Sequence, residues 1–199
     1  MTTKDMIKIT INLAVIYIIG GLLLAGVYAK TSPVIYQKNE EEKQAALKEM
    51  MPDAGSILNA GEWQPLHKHA NFYEAKSGDE TTGYVAETFG KGYSSYIHVF
   101  VATDKNLVIK KIKILGHAET PGLGDEIEKD YFLKQFDGKD LDHLEVVKTE
   151  TPDKIQAITG ATISSRAVTN GVKDAVTMLK EKAEGNAPEE EKTHGKGVE

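Results

Sequence analysis

The chain has no cysteine among its 199 residues. That excludes disulfides, thiol catalysis, iron–sulfur ligation by this chain and Cys-type zinc sites. A dense basic stripe is also missing, and the formal charge is -6, from 24 Lys and Arg against 30 Asp and Glu. Phosphate-backbone binding depends on clustered Lys and Arg, so nucleic acid is not an expected partner. A third absence is local. Between Ile9 and Ala29, "ITINLAVIYIIGGLLLAGVYA", no charged residue occurs. At about 1.5 Å per residue such a run can cross a hydrocarbon core of roughly 30 Å. A secretory signal, with Lys4 and Lys8 as its n-region, is the competing reading, but its apolar core would be shorter, about 7–15 residues. A retained anchor in a lipid bilayer is the expectation. The lysines on either side, Lys4 and Lys8 before and Lys30, Lys38 and Lys43 after, leave the orientation open.

The sequence divides by composition. Residues 1–8 are a flank, 9–29 the transmembrane helix, 30–52 a stalk helix or linker, 53–184 a folded domain, and 185–199 an acidic tail expected to be disordered. Ser32-Pro33 is expected to break the chain before "KNEEEKQAALKEMM" forms a charged amphipathic helix ending at Pro52. Four runs, 71–75, 81–89, 94–103 and 107–115, are rich in β-branched and aromatic residues and separated by turn residues. They indicate an antiparallel meander, although the last alternates imperfectly. A rigid loop at 116–124 then passes into a helix near Asp125, and a strand at 144–148 comes next. The closing helix, Ser165 to about Ala183, sets Val168, Val172, Ala175, Val176 and Leu179 on one core-facing stripe. The fold class is α+β: an antiparallel sheet with packed helices, preceded by one N-terminal transmembrane helix.

Before the closing helix stands "TGATISS", Thr159 to Ser165, four hydroxyl residues in seven positions with no lysine, histidine or acid among them. Four readings compete. A hydroxyl can cap the helix, although the Glu or Gln of a capping box is missing. Small residues at a helix N-terminus can cradle a phosphate, although the lysine of a P-loop is absent. A serine nucleophile would need a base and the Gly-x-Ser-x-Gly elbow, neither of which is here. Last, a hydroxyl can be an attachment point for a phosphate ester, put in place by a separate enzyme. The loop "HAETPGLG" carries Pro121 between polar groups and Gly122 and Gly124, which permit close backbone approach to a planar ring. Glu119 and Thr120 could bond the polar edge of such a ring. Other candidates have blander alternatives. His67 and His69 form a conceivable metal pair, with no third ligand evident, so no metal site is assigned. Lys148, Tyr93 and Tyr96 could approach a ligand or be ordinary surface and sheet residues.

Together the two motifs resemble the FMN-binding domain of the G subunit of Rnf-type electron-transport complexes. They are similar also to the C subunit of the sodium-pumping NADH:quinone reductase. The resemblance spans roughly residues 6 to 183. It implies FMN bound covalently through a threonine phosphoester at Thr162, with Thr159, Gly160 and Ala161 completing the element and Ser164 and Ser165 beside it. It also implies a flavin site at His117, Glu119, Thr120, Pro121, Gly122, Leu123 and Gly124. Gln156 stands where the attachment consensus often has an acid, with Asp153 three residues earlier. The implied function is electron transfer within a membrane-bound, ion-translocating ferredoxin:NAD oxidoreductase, without independent catalytic activity. Implied partners are the other subunits and a flavin transferase, with the FMN domain on the extracytoplasmic side. The alternatives are the sodium-pumping quinone reductase and a non-redox anchored binding module.

Overall fold

A computed structural model describes residues 3–149, 151–183 and 185. The chain divides into two units, Met1–Ala45 and Ala46–Glu199. The first consists of most of helix α1 (Thr3–Met50), whose apolar part is long enough to cross a membrane and has none of its surface buried by protein. The expected break at Ser32-Pro33 does not occur, because α1 continues through Pro33. Proline deletes one N–H and crowds the carbonyl four residues earlier, a local cost that the turns on either side outlast. The Thr31 hydroxyl donates to the Val27 carbonyl (2.9 Å), and Lys38 pairs with Glu41 (2.6 Å) further along the helix.

The second unit is built on a five-stranded antiparallel meander in the order β1-β2-β3-β4-β5. The strands are β1 (Ser56–Trp63), β2 (Ala70–Ser77), β3 (Glu80–Lys91), β4 (Tyr96–Asp104) and β5 (Ile109–Gly116). The α+β class and the meander are as expected, but β1 is an addition. It is an edge strand whose side chains are mostly exposed, so it lacks the apolar alternation by which strands are recognised. The irregular alternation of β5 also has a cause. Its register with β4 shifts between Ala102 and Thr103, so Ile112 faces Val101 while Ile109 faces Thr103. One extra residue in the bulge puts both isoleucines, three apart, on the same core.

The helical region near Asp125 is a chain of short pieces rather than one helix. A 3-10 turn at Gly124–Glu128 leads to the single turn α2 (Asp130–Leu133) and a second 3-10 turn at Lys134–Phe136. Ile127, Phe132 and Phe136 are fully buried there, each contributing roughly 1.5–3 kcal/mol of burial. The strand after it shrinks to β6 (Val146–Val147), paired in parallel with β7 (Ile155–Gln156). Helix α3 (Thr162–Ala183) closes the fold, starting three residues before the expected Ser165. Its stripe Val168, Val172, Ala175, Val176 and Leu179 packs with Ala86, Val99, Val101 and Ile112 of the sheet. The opposite face is covered by Ala46, Leu47, Met50 and Met51 on Tyr73, Ala75, Val85, Phe100 and Ala102. Apart from Gly185, the expected acidic tail lies outside the described residues.

Candidate functional site

The two motifs meet at the N-terminus of α3. Before it, the Ala161 N–H donates to the Ile158 carbonyl (3.0 Å) across a turn in which Gly160 has φ +83. A side chain there would be strained by the backbone alone, and its Cβ would also lie 2.8 Å from the Leu123 side chain. The first helical bond runs from the Ser165 N–H to the Ala161 carbonyl (2.9 Å). The N–H groups of Thr162, Ile163 and Ser164 therefore precede the helical ladder, the arrangement that favours an anion.

The hydroxyls divide the work. Ser165 is fully buried, donating to the Ala161 carbonyl (3.0 Å) and accepting from the Ile158 N–H (3.0 Å), so it ties the turn to the helix. Ser164 donates to Glu119 at 2.6 Å. Thr159 is exposed and lines a different cavity, of about 600 Å³, with Gln156 and Tyr131. Thr162 is half-buried, and among the described residues nothing hydrogen-bonds its hydroxyl.

The "ETPGLG" segment forms a turn with Pro121 and Gly122 (φ +72) at its centre, the positions a type II turn assigns to these residue types. The Thr120 carbonyl accepts from the N–H groups of Leu123 (3.2 Å), Gly124 (2.9 Å) and Asp125 (3.3 Å). Glu119, just before it, is 5% exposed and looks inward. Its carboxylate accepts from the backbone N–H groups of Tyr93 (3.0 Å), Ser94 (3.0 Å) and Ser95 (3.1 Å), from the Ser95 hydroxyl and from Ser164. Burial alone would raise its pKa, but the hydrogen bonds from Ser164 and the three backbone amides outweigh that and hold it below the ordinary value. Instead of offering its oxygens outward, Glu119 binds three chain segments together.

Between these segments opens a cavity of about 330 Å³, near the lower end of small-molecule sites. The motif residues Glu119, Thr120, Leu123, Gly124, Gly160, Ala161, Thr162, Ile163 and Ser164 line it, together with Tyr93. Of the other sequence candidates, Pro121 and Gly122 are exposed on the turn and Ser165 is interior. The His117 ring instead accepts from the Glu119 N–H at Nδ1 (3.0 Å) and meets Glu128 at Nε2 (2.9 Å). Tyr93 belongs to the loop between β3 and β4, brought in by Glu119. Tyr96 opens β4 beneath the Lys68 ammonium, 4.4 Å from its ring centroid, and is not among the residues lining the cavity. His67 and His69 lie off any strand, and Lys148 is beyond β6. The Gln156 backbone is engaged with the Gln135 side chain, its N–H donating at 2.7 Å.

Residues 92–177 match the family model of the FMN-binding domain. Over 177 residues the chain is 39% identical to the G subunit of the proton-translocating ferredoxin:NAD(+) oxidoreductase complex of Clostridium ljungdahlii, covering 88% of this chain and 92% of that one. It is 32% identical over 191 residues to the G subunit of the Na(+)-translocating ferredoxin:NAD(+) oxidoreductase complex of Acetobacterium woodii, covering 88% and 92%. Among solved structures, Shewanella oneidensis NqrC is similar with a TM-score of 0.46 and 24% identity, over 58% of this chain and 64% of that chain.

Proposed function

The chain belongs to the G-subunit family of ion-translocating oxidoreductase complexes, and from that premise we propose that it carries electrons through an FMN joined to Thr162 by a phosphoester. The observation that carries the attachment is the division of the hydroxyls. Thr162 faces the cavity without a hydrogen-bond partner among the described residues, while Ser164 and Ser165 are committed to internal bonds and Thr159 lies on another cavity.

The residues present fit such a group. The N–H groups of Thr162, Ile163 and Ser164 suit its phosphate, and the helix dipole adds attraction there. Leu123, Ile163 and Tyr93 offer apolar and aromatic surface beside it, and Gly124 and Gly160 keep the walls thin. FMN supplies reversible electron uptake and release, and the chain supplies position, charge and water access. No base stands in the motif, so a separate flavin transferase is the agent of attachment. α1 anchors the protein in a membrane, and the domain works on the extracytoplasmic side. Nicotinamide chemistry and ion passage belong to the other subunits of the complex.

The test is intact mass and in-gel flavin fluorescence under denaturing conditions, after co-expression with a flavin transferase. One FMN-phosphoester increment and fluorescence are expected in the unmutated protein and in Thr159→Ala, and neither in Thr162→Ala. No increment in the unmutated protein, with the transferase active on a control, would favour an anchored non-redox module.

A further inference from the structure

The buried carboxylate of Glu119 is the group that the functional reading leaves without a task. It receives five donors from two distant segments, the Tyr93–Ser95 loop and Ser164 of α3. The nearby glycines fit around it. A Cβ at Gly92 would lie 2.5 Å from Glu119 Oε1, and one at Gly124 would lie 2.8 Å from Glu119 Cβ. Gly92, next to the cavity-lining Tyr93, and Gly124, itself in the lining, thus make room for this side chain, which in turn forms part of the cavity wall. Among the described residues no Lys, Arg or His forms an ion pair with it. Its charge is balanced by N–H and O–H dipoles alone.

We propose that Glu119 is a positioning residue of the flavin cavity, locking the Tyr93–Ser95 loop, the Thr120–Gly124 turn and the start of α3 together, and that its fixed negative charge keeps the reduction potential of a flavin held there low. This rests on the FMN reading above. An electron entering the cavity adds negative charge beside a wall that already carries one. In a partly dehydrated site the repulsion is poorly screened and opposes reduction. A negative wall also makes the reduced carrier a stronger donor to the next acceptor.

The experiment is a potentiometric titration of the full chain with its attached FMN, combined with amide hydrogen exchange of residues 93–95. Glu119→Gln keeps the volume and removes the charge, so the midpoint potential should rise. Ser164→Ala keeps the charge and removes one donor, so the potential should stay or fall. In Glu119→Gln the loop amides should exchange about tenfold faster, because their bonds lose a charged acceptor. In Ser164→Ala those bonds remain and only the carboxylate's tie to α3 is lost, so they should exchange faster by a smaller factor. An unchanged potential in Glu119→Gln, or an equal rise in Ser164→Ala, overturns the electrostatic role. Unchanged exchange in both overturns the positioning role. Should Glu119→Gln fail to fold, Ser164→Ala still tests both parts: a raised potential in it overturns the electrostatic role, and unchanged exchange overturns the positioning role. A chain that never acquires flavin defeats the functional reading instead, and the exchange arm still reads the lock.

Discussion

On one face of the sheet the backbone of α3 rests against the backbone of β3, whereas the other face is covered by flexible side chains at the end of α1. At Gly90 a Cβ would lie 2.0 Å from the Ala167 carbonyl oxygen, and one at Gly171 would sit 3.3 Å from the Gly90 nitrogen. The Thr88 hydroxyl adds a bond to the Gly171 carbonyl (3.1 Å). Across the sheet, Leu47, Met50 and Met51 fill the cover, and methionine adapts to irregular gaps. Thr162 lies little more than one helical turn before Ala167. The rigid contact is therefore on the side that carries Thr162, the attachment residue proposed above, and the compliant one is at the end of the anchor helix.

The strongest way to break this comparison is Gly90→Ala. One methyl group would meet backbone atoms that cannot rotate away, so α3 must shift. The expected loss is about 3 kcal/mol or more, near the upper end of overpacking costs, and a Tm lowered by roughly 10 °C. Flavin attachment at Thr162 should fall with it. Thermal unfolding of the full chain in detergent, with in-gel fluorescence alongside, reads both. An unchanged Tm would mean that the two helices of the cover are equally compliant.

Met50→Leu probes the other face. The swap nearly conserves volume, and the expected cost is below about 1.5 kcal/mol. Flavin attachment should be unaltered, measured by the same fluorescence per unit of protein. A large fall in attachment with little loss of stability would show that the α1 side also sets the site.

The two faces were not equally legible in the sequence. The α3 stripe could be read because spacings of three and four place Val168, Val172, Ala175, Val176 and Leu179 together whatever else the chain does. The pair of motifs likewise marked the cavity, since nine of their residues line it. The part of Glu119 was not legible. Its partners Tyr93, Ser94 and Ser95 lie about 25 residues upstream and Ser164 is 45 downstream, and local pattern carries no record of such separations. For the same reason the sequence favours a sheet residue at Tyr93, which instead lines the cavity from the loop before β4. β1 escaped because an exposed edge strand with Gly61 in it shows little periodicity. Pro33 misled because its rule concerns local cost, and a helix continued on both sides can absorb that cost.

The smallest expected effect sharpens the contrast through charge instead of volume. Glu49, in the last turn of α1, pairs with Lys111 at 2.7 Å and with Lys113, both on β5. Hydrogen bonds from Lys111 and then Lys113 lower its pKa from 4.5 to about 2. A depressed folded-state pKa means that the stabilisation is complete above the unfolded value and disappears as pH falls from about 4.5 towards about 2. The side chain is 49% exposed, so solvent screening reduces the contribution to about 1 kcal/mol or less. Stability of the unmutated chain and Glu49→Gln should therefore differ slightly at neutral pH, converge near pH 2, and differ less in high salt. The acid response of Glu119 is common to both proteins and cancels in the comparison. A difference that survives at about pH 2 would mean that Glu49 acts by packing. The α1 face would then depend on shape as the α3 face does, and the division between a rigid cover and a compliant one would fail.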